Sequence, residues 1–166
     1  MSRVALGLGA NLGDRVAALQ GAVDLLAPHL RAAVVSSVYE TAPVGGPEQP
    51  GYANAVLVGD WDGDPRALLD LAHKVESAWH RTREVRWGPR TLDVDVLAVG
   101  ELVSADPELT LPHPRARERA FVVLPWAEAD PTATLPDGVR VADLAAALDA
   151  GDDVRRRGDV GLVLPS

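Results

Sequence analysis

The fold class that the sequence predicts is an α+β sandwich of ferredoxin-like topology, an antiparallel sheet with helices on one face plus C-terminal additions, and three observations predict it. Segments with strand and helix periodicity follow one another in the order βαββαβ as far as Gly100. The proline- and glycine-rich breaks, such as APVGGPEQPG at 42–51, fall between these segments rather than inside them. The 166 residues, 47% of them hydrophobic, suffice for one well-buried core and would be cramped as two domains, so 1–166 reads as a single domain.

The first strand is residues 3–9, VALGLG after Arg3. The turn-rich GANLGD hands over to an amphipathic helix, RVAALQGAVDLLAPHL at 15–30, with Asp14 as its N-cap. AAVVSSVYET at 32–41 is β-branched and alternating, and gives a second strand; YANAVLVGDW at 52–61 gives a third. DPRALLDLAHKVESAW at 64–79 opens on Asp-Pro and carries leucines at helical spacing, which predicts a second helix. A cationic loop, HRTREVRWGPR, then leads into the strand LDVDVLAVG at 92–100. Beyond it, ELVSADPELTLPHP suggests a short hairpin or extended excursion, RARERAFVVLPWAEA a third helix ending near Pro131, and RVADLAAALDA a short last helix. The tail from about residue 150, GDDVRRRGDVGLVLPS, has no clear period, and its arginine run reads as a solvated end.

Composition narrows the function. No apolar run approaches the roughly 18 residues of a membrane span, and the N-terminus lacks a signal-peptide cleavage site. The absence of cysteine excludes disulfides and thiolate metal sites and fits a cytoplasmic protein. A formal charge of −8 argues against sequence-independent nucleic-acid binding, so any bound phosphate must be met by local positive charge. The expectation is a cytoplasmic monomer with neither nucleic acid nor membrane as partner.

Within LDVDV, Leu92, Val94 and Val96 alternate with Asp93 and Asp95, so a strand puts both carboxylates on one face. At ~6.6 Å separation and an effective dielectric of about 20 their repulsion costs roughly 2.5 kcal/mol. Either water or a cation must absorb it. His29, His73, His80 and His113 form no zinc-type spacing, whereas Mg²⁺ favours carboxylates together with substrate phosphates. Arg81, Arg83, Arg86 and Arg90 precede the pair, with Trp87 on the same loop. Guanidinium forks suit phosphate oxygens, and arginines beside a divalent-metal site make a phosphoryl-transfer constellation; a solvated charge run is the alternative. A second polar set lies in LPHPRARERAF, which taken alone reads as a structural His113, arginines on the outer face of a helix and Phe121 as core, with a phosphate contact as the alternative. Tyr52 and Asn54, two apart on a strand, share a face and suit a planar heterocycle; an ordinary aromatic and a turn-facing amide is the alternative. The run GLGANLGDR is not a dinucleotide fingerprint, because Gly7, Gly9 and Gly13 leave Leu12 where the third glycine belongs; it reads as a tight strand-to-helix turn.

Together LGLGANLGDR, VSSVYETAPVGGPEQPGYANAV, RWGPRTLDVDVL and LPHPRARERAFVVLPWAEADP, spanning about residues 4–131, resemble the 6-hydroxymethyl-7,8-dihydropterin pyrophosphokinase family. The resemblance implies a ferredoxin-like fold and transfer of the terminal pyrophosphate of ATP to the pterin hydroxymethyl oxygen, releasing AMP, in folate biosynthesis. By position it implies that Asp93 and Asp95 hold two Mg²⁺ ions, and that Arg81 and Arg90 assist catalysis. Arg83, Trp87, His113 and Arg119 fall on ATP-binding positions, and Thr41, Val44, Tyr52, Asn54 and Phe121 on pterin-binding ones. Glu76 matches a further acidic position. Departures from the family pattern are Pro114 where a tyrosine often stands, Glu108 where an arginine can assist ATP, Ala10 for a frequent serine, and a loop RTREVRW one residue shorter than in some relatives. A non-catalytic ferredoxin-like small-molecule-binding domain and a metal-dependent phosphohydrolase are the alternatives.

Overall fold

Period-two burial begins at once in β1 (Ser2–Ala10), where Val4, Leu6, Leu8 and Ala10 enter the core and Gly7 and Gly9 lie on the opposite face. The computed structural model describes residues 1–10, 14–41, 52–82, 92–148 and 154–165, with backbone alone at 80–82. α1 (Arg15–Leu26) starts where Asp14 accepts a hydrogen bond from the Ala17 amide at 3.0 Å, and it buries Ala18, Leu19, Ala22, Val23 and Leu26. It stops four residues earlier than its sequence pattern suggests, because Pro28 has no amide to donate and the chain tightens into a 3₁₀ turn over Ala27–His29.

The strand expected over 32–41 is two strands, β2 (Arg31–Val35) and β3 (Val38–Thr41). Ser36 makes the break: its hydroxyl accepts from the Val56 amide at 2.9 Å and donates to the Ser37 carbonyl at 2.8 Å, so a side chain takes over ladder bonding where the backbone turns. Both pieces pair antiparallel with β4 (Ala53–Trp61), whose other edge pairs with β1 from Ser2↔Trp61 to Ala10↔Ala53. α2 (Pro65–Thr82) has proline in its first position and Asp64 accepting from the Ala67 amide at 2.7 Å, as the Asp-Pro start predicts.

β5 (Leu92–Val99) pairs with β1 and forms one edge of the sheet. Its ladder carries a bulge. Leu6 pairs with Val96 and Ala5 with Ala98, so Leu97 is the extra residue. The predicted hairpin follows as β6 (Ser104–Asp106) and β7 (Leu109–Leu111). Residues 116–118 form a 3₁₀ turn, and the third helix, α3 (Ala120–Ala129), begins later than its sequence pattern suggests, with Arg119 at its N-cap. α4 (Val141–Leu148) closes the helical part.

The main sheet runs β5-β1-β4-β3-β8, where β8 (Val154–Arg157) lies in the tail and β2 adjoins β4. Even-numbered residues of β1 and the aliphatic residues of LDVDV pack with α1 and α2, giving the ferredoxin-like layer expected. The C-terminal additions lie on the other face. There Val123, Trp126 and Val141 make a second core with Ala5, Val56, Val58 and Leu97. The tail differs most from its sequence pattern: the arginine run is strand β8, with Arg157 bonded to Glu40 at 2.6 Å, where a solvated end was expected. No described helix is long and apolar enough to cross a membrane.

Candidate active site

The site is built on one transverse row of the sheet. In an antiparallel ladder directly paired residues share a face. Asp93 pairs with Gly9, Gly9 with Asn54, and Asn54 with Tyr39, so these four lie side by side across β5, β1, β4 and β3. One row along, Asp95 pairs with Gly7 and Gly7 with Val56. The LDVDV alternation is realised as expected: Leu92, Val94 and Val96 are buried, while Asp93 and Asp95 are exposed.

The two glycines have a role that the turn reading of GLGANLGDR did not anticipate. Both stand inside the central strand, and neighbouring side chains occupy the space above them. A Cβ on Gly9 would lie 3.2 Å from Asn54 Oδ1 and 4.0 Å from the Tyr52 ring, and one on Gly7 would lie 3.3 Å from Leu97 Cδ2. Gly9 thus gives a low floor between a carboxylate and an amide whose backbones are ~9–10 Å apart, two strand spacings. Two glycines at period two, in the strand that lies between the carboxylate strand and the Tyr-Asn strand, were the available signal.

Asn54 is 5% exposed, and its Nδ2 is buried with no hydrogen-bond partner among the described residues. Buried amide donors are almost always satisfied in native proteins, so an orphan facing a functional row calls for a ligand acceptor. Tyr52 is held beside it from the backbone: its amide donates to Thr41 Oγ1 at 3.2 Å, and its carbonyl accepts from the Thr41 amide at 3.0 Å. Tyr52 as a whole is 41% exposed, so an aromatic side chain stands at the surface beside the buried amide.

The opposite wall comes from the segment before α3. His113 donates its amide to the carbonyl of the bulged Leu97 at 2.8 Å, which brings it up against β5. Its Nδ1 accepts from the Arg115 amide at 3.3 Å, so the neutral ring carries its proton on Nε2. Burial pushes the His113 imidazole below its ordinary range; nearby Asp95 opposes that shift, while Arg119 and Arg115 add to it. The Arg119 guanidinium lies 5.6 Å from the centre of the Phe121 ring, a cation–π distance, so these two residues of the segment are held together.

Glu76 gains a structural account. From α2 it reaches around the free edge of β5, and its Oε2 accepts from the Val94 amide at 2.8 Å, between the two aspartates. Burial raises its pKa, the Val94 hydrogen bond opposes that, and Asp93 raises it further. Glu108, at the hairpin, pairs with Arg66 at the start of α2. It serves there as a surface tie. Arg81 stands on the last turn of α2 with its side chain outside the described residues, and Arg83, Trp87, Arg90 and Val44 lie outside them altogether. Among the described residues no cluster of three or more His, Asp or Glu side chains is arranged to hold a metal unaided. A cation on Asp93 and Asp95 would therefore complete its shell with substrate and water oxygens, which is the habit of magnesium.

A family model described as 7,8-dihydro-6-hydroxymethylpterin-pyrophosphokinase (HPPK) matches residues 5–131. A protein of Methylorubrum extorquens named 2-amino-4-hydroxy-6-hydroxymethyldihydropteridine pyrophosphokinase is 43% identical over 151 residues, covering 90% of this chain and 95% of its own. A protein of the same name from Mycobacterium tuberculosis is 46% identical over 145 residues, covering 81% and 76%. Among solved structures, an HPPK-DHPS in complex with substrates superposes with a TM-score of 0.70 at 11% identity, and wild-type Plasmodium falciparum HPPK-DHPS with 0.68 at 13%. Each of those alignments covers 93% of this chain but under half of the longer partner, 46% and 48%, and they speak to the fold alone. Sequence match, fold and the carboxylate–glycine–amide row agree, and the chain belongs to the 7,8-dihydro-6-hydroxymethylpterin-pyrophosphokinase family.

Proposed function

We propose that this chain is the transferase of folate biosynthesis that moves the terminal pyrophosphate of ATP to 6-hydroxymethyl-7,8-dihydropterin, giving the pterin diphosphate and AMP. The observation that carries the reading is the row Asp93–Gly9–Asn54, which sets a hard-oxygen pair and an orphaned amide donor on one face with no side chain between them. The amide of Asn54 reads the polar edge of the pterin, Nδ2 donating and Oδ1 accepting, while Tyr52 and Phe121 supply stacking surfaces. Thr41 fixes Tyr52, and the backbone near Val44 completes the pocket by its match to the family. Asp93 and Asp95 fit magnesium by donor type, and two ions bound there would neutralise triphosphate charge. His113 and Arg119 hold phosphate oxygens, with Arg83 and Trp87 on the nucleotide. Arg81 and Arg90 stabilise charge as the α–β bridging oxygen departs.

Catalysis in this reading is positioning. The pterin ring is placed over Gly9, and its hydroxymethyl oxygen points toward the β-phosphorus at the aspartate end of the row for in-line attack. The enzyme works as a monomer in the cytoplasm. The test is to incubate the chain with ATP, Mg²⁺ and the hydroxymethyl pterin and to identify the nucleotide product. AMP that forms only with pterin supports the reading. ADP, or phosphate released without pterin, identifies a phosphohydrolase instead, and binding without turnover identifies a small-molecule-binding domain.

A further inference from the structure

The family match ends at residue 131, yet the tail beyond it reaches the same row of the sheet. Tyr39, the β3 member of the row, pairs on its far side with Arg156 of β8. The row is therefore Arg156–Tyr39–Asn54–Gly9–Asp93, with the tail at one end and the carboxylates at the other. More of β3 is paired with β8 than with β4. It pairs with β4 at Tyr39↔Asn54 and Glu40↔Ala53, and with β8 along all of Val38–Thr41.

Hydrogen bonds continue from Arg156 in one direction. Its Nε donates to Ser37 Oγ at 3.0 Å, and Ser37 Oγ in turn donates to Glu128 Oε2 at 2.8 Å. The Ser37 amide donates to the same oxygen at 3.0 Å, and the Tyr39 hydroxyl donates to Glu128 Oε1 at 2.7 Å. A serine hydroxyl has a single proton, so the arginine, by taking its lone pair, directs that proton to Glu128. Glu128 is in the last turn of α3, whose first turn carries Phe121. On the opposite face of β8, Arg157 donates to Glu40 Oε1 at 2.6 Å, and Arg15 at the start of α1 donates to that oxygen at 2.9 Å. Past the strand, the Gln20 amide on α1 pairs with the backbone of Val163 at 2.9 and 2.7 Å. The tail is stitched to both helical layers, with β3 clamped between.

We infer that Arg156 is a positioning residue of the pterin half of the site, acting through Ser37, Glu128 and Tyr39 to fix the wall behind Asn54 and the strand that holds Tyr52. The inference rests on the function proposed above. It makes the C-terminal segment part of the substrate pocket. Because Asp93, Asp95 and His113 sit across the sheet on β5 and its bulge, the effect should fall on the pterin and spare the nucleotide.

The experiment is steady-state kinetics on the full chain with each substrate varied in turn, together with thermal unfolding. Arg156→Ala should raise the KM for pterin about fivefold, the worth of one directed hydrogen bond, with the KM for ATP within about twofold. Ser37→Ala should behave alike, and Arg156→Lys, which keeps a cationic donor, should recover much of the loss. Arg155→Ala, on the other face and 3.7 Å from Glu40, should leave both KM values unchanged. An unchanged pterin KM in Arg156→Ala, or equal rises in both KM values with a lower Tm, would overturn the inference by reducing β8 to a stability element. A wild-type chain that makes no pterin-dependent AMP overturns the function itself, and that result is read before any variant is compared.

Discussion

Replacing Asn54 with leucine should make the substrate-free protein more stable while disabling it. Leucine has the branching of asparagine with two methyls in place of Oδ1 and Nδ2, and Asn54 is 5% exposed, so the change exchanges polar for apolar atoms at nearly constant shape. What it removes is a buried donor with no described partner. Such a group costs about 1–3 kcal/mol relative to a satisfied or apolar one. For a chain of 166 residues that corresponds to a Tm raised by about 2 to 12 °C. The space for the larger side chain exists because Gly9, under Oδ1, has no Cβ. In the substrate complex the sign reverses: the pterin edge that the amide would have read is left facing methyl groups, at about 3 kcal/mol for two unpaired polar atoms, or roughly 100-fold in KM. Differential scanning calorimetry without substrates, paired with turnover against pterin concentration, measures both halves. A substrate-free Asn54→Leu protein that melts below the wild type would show that Nδ2 is satisfied in solution and would remove the orphan from the argument.

Three other outcomes follow from the same geometry. Gly9→Ala places a methyl 3.2 Å from Asn54 Oδ1 on the floor of the row; the amide can yield by a few tenths of an ångström, so folding should persist while the pterin KM rises about tenfold, read by the same assay. Asp95→Asn should lower kcat by about two to three orders of magnitude with Tm unchanged or slightly raised, since the exposed carboxylate repels Asp93 and holds no core contact; normal turnover would exclude Asp95 from the metal site. Glu76 has a folded-state pKa raised mainly by burial, so it stabilises most below its unfolded value near 4 and loses that contribution as pH rises through the folded value. Glu76→Gln can still accept from Val94, so in metal-free buffer its Tm should gain on the wild type as pH rises above the ordinary carboxylate value of 4.5; a constant difference with rising pH would show that Glu76 titrates normally.

What could be read from the chain was what depends on near neighbours. Asp14 caps α1 and Asp64 opens α2 because capping is settled within three residues, and LDVDV has the facing its alternation predicts. The early end of α1 at Pro28 is a local matter, but most of the misreadings are cases in which a distant partner decides. Ser36 splits a strand because Val56 supplies an amide, and nothing in VVSSVY announces it. The run Arg155–Arg157 has no alternation to mark a strand, and becomes one because Glu40 and Ser37 meet its side chains from the sheet. Gly7 and Gly9 fall within the strand expected at 3–9, but as a motif GLGANLGDR reads only as a strand-to-helix turn; what the two glycines permit becomes visible only when β4 and β5 are set on either side. Asp93, Asp95, Tyr52 and Asn54 can each be singled out from the sequence, but that Asp93 and Asn54 stand in one row across Gly9, with Asp95 one row along, needs the register.

The bulge at Leu97 has one more consequence. A strand has two phases, and inserting a residue switches it from one to the other. Upstream of Leu97 the odd positions Asp93 and Asp95 face the candidate site and the even positions face the helices; downstream, odd Val99 is back with α1 and α2 while Ala98 lies on the second core. The half of β5 that carries the two aspartates and the half that follows it are thus written in different frames, joined at a residue whose carbonyl holds His113. Deleting Leu97 would leave Val96 and Ala98 opposite Leu6 and Ala5 in a regular ladder with every remaining side chain on its present face; what would be lost is the Leu97 side chain in the second core and the carbonyl that holds His113.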